Sequence, residues 1–251
     1  MIEQLTTEYD LARSLTVGLI LFVSTIVVRV AGFGGSLTSM PLLTPIIGLN
    51  VASPLMNLFG VTNFSTIVIQ KWREVQFSDI WRLVITNIIF TPAGIWLLSL
   101  TDESFLRLVL GIVCAGYSAM RLLKLPPPTL ENPNWGWVYG FFSGIFTGAF
   151  SVGGVPAVLY ADTQSWEPER FRINMFSFFT VTGFVNLATR YFAGQITLYL
   201  ILLWLTAIPF LIAGLWVGGR LIGYIDKNRF QQLVLIMLVV LGLRLIYSGI
   251  G

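Results

Sequence analysis

The sequence predicts an all-α polytopic membrane protein, built as two inverted-topology repeats of about five helical passes each. Three observations predict it. The 251 residues are 55% hydrophobic and only 11% charged, whereas a soluble domain averages about 25% charged. The apolar residues arrive in runs long enough to cross a bilayer. The order of features in the first half recurs in the second.

The runs lie at residues 15–28, 80–100, 106–123, 196–217 and 233–246, and crossing the hydrocarbon takes roughly 20 such residues. Because they fill the whole chain, a signal peptide ahead of a soluble domain is not the explanation. Glu3, Glu8 and Asp10 precede the first run with only Arg13 following, which is not the basic start that a cleavable signal needs. The net charge of +3 resides in short loops at helix ends, the pattern of cytoplasmic anchoring rather than of nucleic-acid binding. The lone cysteine, Cys114, lies in an apolar run, so no disulfide frame or thiolate cluster is expected. The chain has no histidine, the commonest general base and transition-metal ligand. No deep acidic pair or phosphate-binding Gly-Lys-Ser/Thr loop is present either. We therefore expect no enzyme, no metal and no cofactor.

The repeat is legible in four places. An apolar helix ends at Gly32-Phe33-Gly34-Gly35 in one half and at Ser151-Val152-Gly153-Gly154 in the other. Asn57-Leu58-Phe59 matches Asn174-Met175-Phe176, and Ala93-Gly94-Ile95-Trp96 matches Ala213-Gly214-Leu215-Trp216. Each half closes on Phe105…Leu108-Val109-Leu110 or Phe230…Leu233-Val234-Leu235. The expected organisation is residues 1–125 and 136–251, joined by a linker at 126–135 in which Pro126-Pro127-Pro128 cannot continue a helix.

A short apolar stretch follows each glycine pair, at residues 36–49 and 155–164. At ~1.5 Å per residue it covers about 20 Å or less, too short for a full span. If each returns the chain to the side it came from, there are five passes per half and the halves are inverted. Lys71, Arg73, Arg82, Arg121, Lys124, Arg170, Arg172, Arg220, Lys227 and Arg229 then share one face. Only Arg13, Arg107, Arg190 and Arg244 fall on the other, an asymmetry that favours inversion with both termini outside. The loop Thr101-Asp102-Glu103-Ser104 corresponds to Asp226-Lys227-Asn228-Arg229, opposite in charge, as opposite membrane sides require.

In lipid, irregular backbone survives only inside protein or beside a water-filled cavity, so Gly34-Gly35 and Gly153-Gly154 mark breaks at depth. A helix starting after each break presents free N–H groups and a partial positive charge, an anion site; inverted halves are expected to bring the two starts together near the midplane. Inverted repeats with glycine-broken helices are the mark of a secondary transporter's binding site; close helix packing around small residues is the alternative. Arg29, three residues before Gly32, suits a diffusible anion, with snorkelling to the interface as its alternative. Arg190 serves similarly, although snorkelling is the stronger reading there. Ser36, Thr38 and Ser151 flank the breaks. Asn57, Thr62 and Asn63 lie on the helix after the first short segment, and Asn174, Thr180, Thr182 and Asn186 on its counterpart. Thr182 shares a face with Asn186, and Asn186 with Arg190. Interhelical hydrogen bonding is the alternative for each. The candidate substrate-binding set is therefore Arg29, Gly34, Gly35, Ser36, Thr38, Asn57, Asn63, Ser151, Gly153, Gly154, Asn174, Thr182, Asn186 and Arg190. Pro41, Pro45, Pro54, Pro92 and Pro209 are expected kinks, and Trp72, Trp81, Trp135, Trp137 and Trp166 interface anchors.

The run Ala31-Gly32-Phe33-Gly34-Gly35-Ser36…Met40-Pro41-Leu42-Leu43, echoed by Gly140-Phe141-Phe142-Ser143-Gly144…Val152-Gly153-Gly154, resembles the TauE/SafE family of sulfite and organosulfonate exporters. The resemblance covers roughly residues 14–249. It implies a secondary transporter of the bacterial or archaeal inner membrane that moves small sulfur-containing anions such as sulfite, sulfoacetate or taurine. Typical members carry three glycines and Val-Pro after each break. Here Ser36 replaces the third glycine in one half, and Val155-Pro156 follows at once in the other. The expected partners are a small anion and the lipid bilayer, with a homodimer a possible assembly and nucleic acid excluded. An anion channel, or a transporter of another small organic anion such as a carboxylate, is the alternative.

Overall fold

Backbone polar groups have no partner in hydrocarbon but one another, so long apolar segments fold as helices. The computed structural model describes residues 10–31, 34–125, 130, 132–164, 166–221, 224 and 227–250. Gly32, Phe33, Pro126-Pro127-Pro128 and Asp226 lie outside the described residues. Among those described there are ten α-helices and no strand. Five fall in the first half: α1 (Leu11–Ala31), α2 (Gly35–Ile47), α3 (Leu49–Lys71), α4 (Phe77–Leu100) and α5 (Glu103–Leu122). The second half supplies α6 (Trp135–Phe150), α7 (Gly154–Thr163), α8 (Pro168–Phe192), α9 (Leu198–Leu221) and α10 (Lys227–Ile250).

Five helices are long and apolar enough to cross a membrane: α1, α4, α5, α9 and α10. They are the five apolar runs of the sequence. The 23 residues of α3 and 25 of α8 are long enough to span. Their interior polar residues, Asn57 and Asn63 in one and Thr182, Asn186 and Arg190 in the other, lower the hydropathy, and all five are buried. The short segments are helices of 13 residues (α2) and 10 residues (α7). Gly48, at φ +71°, ends α2 in a left-handed turn, so the chain re-enters helix at Leu49 rather than continuing the short segment to it. The carboxylate of Glu103 accepts the Leu49 N–H at 3.2 Å, capping α3 with the charge its N-terminus favours. Pro41, Pro45, Pro54, Pro92 and Pro209 all lie inside these helices.

The chain forms two compact units, and each draws on both sequence halves. The first comprises residues 1–56, 103–122 and 194–251, and so holds α1, α2, α5, α9 and α10. Here α1 and α9 run parallel in close contact. A Cβ at Gly18 would meet the Phe210 ring, one at Gly214 the Thr25 side chain at 2.8 Å, and one at Gly218 the Arg29 Cβ at 2.9 Å. Helices α5 and α10 run antiparallel, backbone to backbone. Gly111 faces Gly242 and Ile246, while Gly249 faces Ser104 and Leu108. Small residues are what let helices approach this closely in a bilayer.

The second unit comprises residues 57–102 and 123–193. Its centre is the parallel pair α4 and α6, joined along Gly136, Gly140, Gly144 and Gly148. Spaced four apart, these glycines form one face of α6, against Arg82, Leu83 and Thr86, Asn87 and Phe90, and Thr91 and Ile95 in turn. Gly94 of α4 answers by packing on the backbone of Ile145 and Ala149. Helix α8 lies parallel to α4. Asp79 near the start of α4 makes a two-pronged ion pair with Arg170 near the start of α8, at 2.8 and 2.9 Å. That end also carries the edge-on pair Trp81–Trp137, Arg82 over the Trp81 ring, and Tyr160 against Trp166, the amphipathic layer expected of a membrane interface.

The two units are built alike. In each, the helix that precedes a glycine break pairs in parallel with the Ala-Gly-aliphatic-Trp helix of the other sequence half: α1 with α9, and α6 with α4.

Candidate functional site: two glycine-broken helices

In the first unit, α1 runs to Ala31 and α2 begins at Gly35. Gly34 takes φ +91°, a conformation that a side chain would strain. The Thr38 amide and hydroxyl both donate to the Gly34 carbonyl at 2.9 Å. Ser24, seven residues before the end of α1, donates to the Gly35 carbonyl at 3.0 Å. A Cβ on Gly35 would stand 3.0 Å from that hydroxyl and closer still to Val28, so only glycine lets α2 fold back on α1 here. Ser36 is half-buried in the first turn of α2. No side chain caps the start of α2, leaving first-turn N–H groups unpaired by the helix itself. Arg29 lies in the last turn of α1, its stem across Gly218. Its Nε is buried with no hydrogen-bond partner among the described residues.

The second break repeats the device with different residues. Helix α6 ends in a left-handed Ser151 at φ +53°, whose N–H donates to the Thr147 carbonyl at 3.0 Å, the 5→1 bond of an αL cap; Val152 N–H also reaches back to the Phe146 carbonyl at 3.2 Å. The Ser143 hydroxyl donates to the Gly153 carbonyl at 2.7 Å and accepts from Asn87 Nδ2 at 2.9 Å. Asn87 Nδ2 also donates to Thr147 Oγ1 at 3.0 Å. A Cβ at Gly153 would strike Thr147 and the Ser143 backbone, while one at Gly154 would press on the Phe179 ring at 3.2 Å. From there α7 returns alongside α6, Tyr160 lying 6.1 Å from Tyr139 ring to ring. It too begins without a side-chain cap.

Arg190 belongs to this break. It is fully buried (0% exposed), against the snorkelling expected of it, because its guanidinium is occupied by polar groups at the end of α6. Its Nη2 donates to the carbonyls of Gly148 and Thr147 and reaches Ser151 Oγ at 3.5 Å, and Nε donates to Asn186 Oδ1 at 3.1 Å. A cation at the C-terminus of α6 meets the negative end of that helix. The shared face of Asn186 and Arg190 read from the sequence is thus a hydrogen bond.

The other candidates separate. Asn57 Nδ2 donates to the Gly183 carbonyl at 3.2 Å, leaving Oδ1 buried without a donor. Asn63 is fully buried, and neither side-chain polar atom has a partner among the described residues. The Thr182 hydroxyl bonds back to Phe178. Asn174 sits sixteen residues before Arg190 on α8, about 24 Å along the helix. There its amide donates to Asp79 at 2.8 Å and accepts from the Gln76 N–H at 3.2 Å, so both ends of the side chain tie α8 to the start of α4. Ser24, Ser143 and Asn87 escaped the sequence reading. The signal for the serines was there: each lies ten or eleven residues before the glycine it binds.

The family described as sulfite exporter TauE/SafE matches residues 17–245, nearly the whole chain. The chain belongs to the TauE/SafE sulfite exporter family. It is 25% identical over 151 residues to the probable sulfite/organosulfonate exporter TauE of Cupriavidus necator, an alignment covering 59% of this chain and 58% of that relative, under two thirds of its length. No solved structure matches the chain. TauE/SafE membership and five helices long and apolar enough to cross a membrane make this a multi-pass protein of the cell membrane.

Proposed function

We propose that the chain is a secondary transporter that exports small sulfur-containing anions: sulfite, sulfoacetate, taurine or other organosulfonates. The observation that carries the reading is a helix start without a side-chain cap at each glycine break, in a chain of the sulfite exporter family. Such starts favour anions through their N–H groups and partial positive charge, more fully at α2 than at α7, where Pro156 has no N–H and Val155 N–H donates to the Val152 carbonyl at 3.3 Å. At the first break the buried Arg29 Nε, without a partner among the described residues, adds a donor, and a guanidinium suits sulfonate or sulfite oxygens in pairs. Helices α2 and α7 are read as re-entrant segments. That gives five passes in each of the halves 1–125 and 136–251, inverted relative to one another across the linker 126–135, and places the larger Lys/Arg group on the cytoplasmic face.

The test is counterflow in proteoliposomes. Vesicles loaded with sulfite or taurine should accelerate uptake of the labelled compound, and flux should saturate. Flux that neither saturates nor supports counterflow would make the protein an anion channel. Counterflow driven by simple carboxylates but not by sulfite or sulfonates would move the substrate class away from sulfur.

A further inference from the structure

We infer that Asn186, rather than Arg190, is the anion-contacting donor at the second break, and that Arg190 is the residue that positions it. The inference rests on the transport reading and refines it at the side-chain level.

Arg190 Nη2 faces three acceptors at the end of α6: the Gly148 and Thr147 carbonyls and the Ser151 hydroxyl. These hold the guanidinium at the helix terminus. Its Nε–H meets Asn186 Oδ1 at 3.1 Å. That contact fixes the amide's orientation, because exchanging oxygen for nitrogen would set one N–H against another. Asn186 Nδ2 is therefore the end turned away from the guanidinium. The residue is 1% exposed, and that nitrogen is buried with no hydrogen-bond partner among the described residues. A buried amide nitrogen left without an acceptor is unfavourable. An oxyanion supplies the missing acceptor, and the Arg190 charge one helical turn away favours it over a neutral solute. Thr182, on the same face one turn earlier, has its hydroxyl turned to the Phe178 carbonyl, which leaves Asn186 as the donor of that face.

The measurement is equilibrium binding of sulfite to the purified full-length protein, for the wild type, Asn186→Ala, Arg190→Gln, the double variant and Asn186→Asp. Each of the first two single changes should weaken binding about tenfold or more. The double variant should be no weaker than the weaker single, because Arg190 acts through Asn186. Losses that multiply would place the anion on Arg190 itself and overturn the inference. Asn186→Asp guards against misfolding, since the carboxylate keeps and strengthens the contact with Arg190. It removes both amide donors and adds a negative charge, so sulfite binding should fall by about a hundredfold or more. Wild-type affinity in Asn186→Asp would overturn the assignment while leaving the transport reading intact. A wild type that binds neither sulfite nor a sulfonate would overturn the transport reading, and the assignment with it.

Discussion

Replacing Gly144 by alanine tests the glycine face that joins α6 to α4. A Cβ there would lie 2.6 Å from the Asn87 carbonyl oxygen, 3.0 Å from Phe90 Cβ and 3.1 Å from Asn87 Cα. The nearest obstacle is backbone, which no rotamer change can move, so the helices must separate by roughly 0.8 Å to reach ordinary contact. Overpacking of this kind costs about 1–3 kcal/mol. Separation also stretches the Asn87 bonds to Ser143 and Thr147, at 2.9 and 3.0 Å, each worth about 1 kcal/mol. Alanine returns about 1 kcal/mol of helix propensity. The net expectation is a loss of about 1–4 kcal/mol. Gly116→Ala supplies the control, because a Cβ there meets nothing within 4 Å; it should be neutral or stabilising by up to about 1 kcal/mol. Equilibrium unfolding in mild detergent compares the two against the wild type. A Gly144→Ala protein as stable as Gly116→Ala would refute the packing argument.

Three further expectations follow from the breaks and the topology. Ser143→Ala leaves the Gly153 carbonyl and an Asn87 donor without their buried partner, and should cost about 1–3 kcal/mol; Ser24→Ala should cost less, since Ser24 makes a single bond among the described residues, to the Gly35 carbonyl, and equal losses on unfolding would contradict the networks described. Arg29→Ala should weaken anion binding about tenfold or more while leaving thermal stability without anion nearly unchanged, because its Nε has no partner among the described residues; a stability loss with affinity intact would make Arg29 structural. With Cys114, the one native cysteine, replaced by alanine, cysteines at Ser104 and Asn228 should react with an impermeant thiol reagent from opposite membrane sides. Labelling of both from one side would end the inverted arrangement.

Much of the architecture was legible because lipid leaves the sequence little choice. An apolar run of span length reads directly as a helix, and all five runs are such helices. The breaks were legible for the same reason: Gly34 takes the positive φ that glycine permits, and Gly35 and Gly153 sit where a Cβ has no room. Helix partnership was not legible. Nothing local in α4 says that it packs on α6 rather than on a helix of its own half, although the four-residue spacing of Gly136, Gly140, Gly144 and Gly148 announced a contact face of some kind. Site residues were the least legible. Asn57 and Asn174 match in the sequence pattern, yet one bonds to a helix carbonyl and the other braces an ion pair at the start of α4. Residues that match in the sequence pattern need not match in their hydrogen bonds, which are set by the neighbours each one meets. Arg190 shows the converse. A cation at a helix end suggests snorkelling until the facing carbonyls of another helix are known.

The exchange of α4 and α9 between the sequence halves bears on biosynthesis. Every helix of the second unit has been made by residue 193, whereas the first unit still lacks α9 and α10 at that point. Until then α1 has no α9 to receive Gly18, and α5 has no α10 against Gly111. The second unit can therefore close first, while the helix pairs of the first unit wait for the carboxyl-terminal third of the chain; the bonds of the first break, Ser24 to Gly35 and Thr38 to Gly34, need nothing beyond α2. A truncation after α8 would strand α1, α2 and α5 with their small-residue faces open to lipid and to one another. Such a fragment should be recognised by membrane quality control even though all of residues 1–125 are present in it.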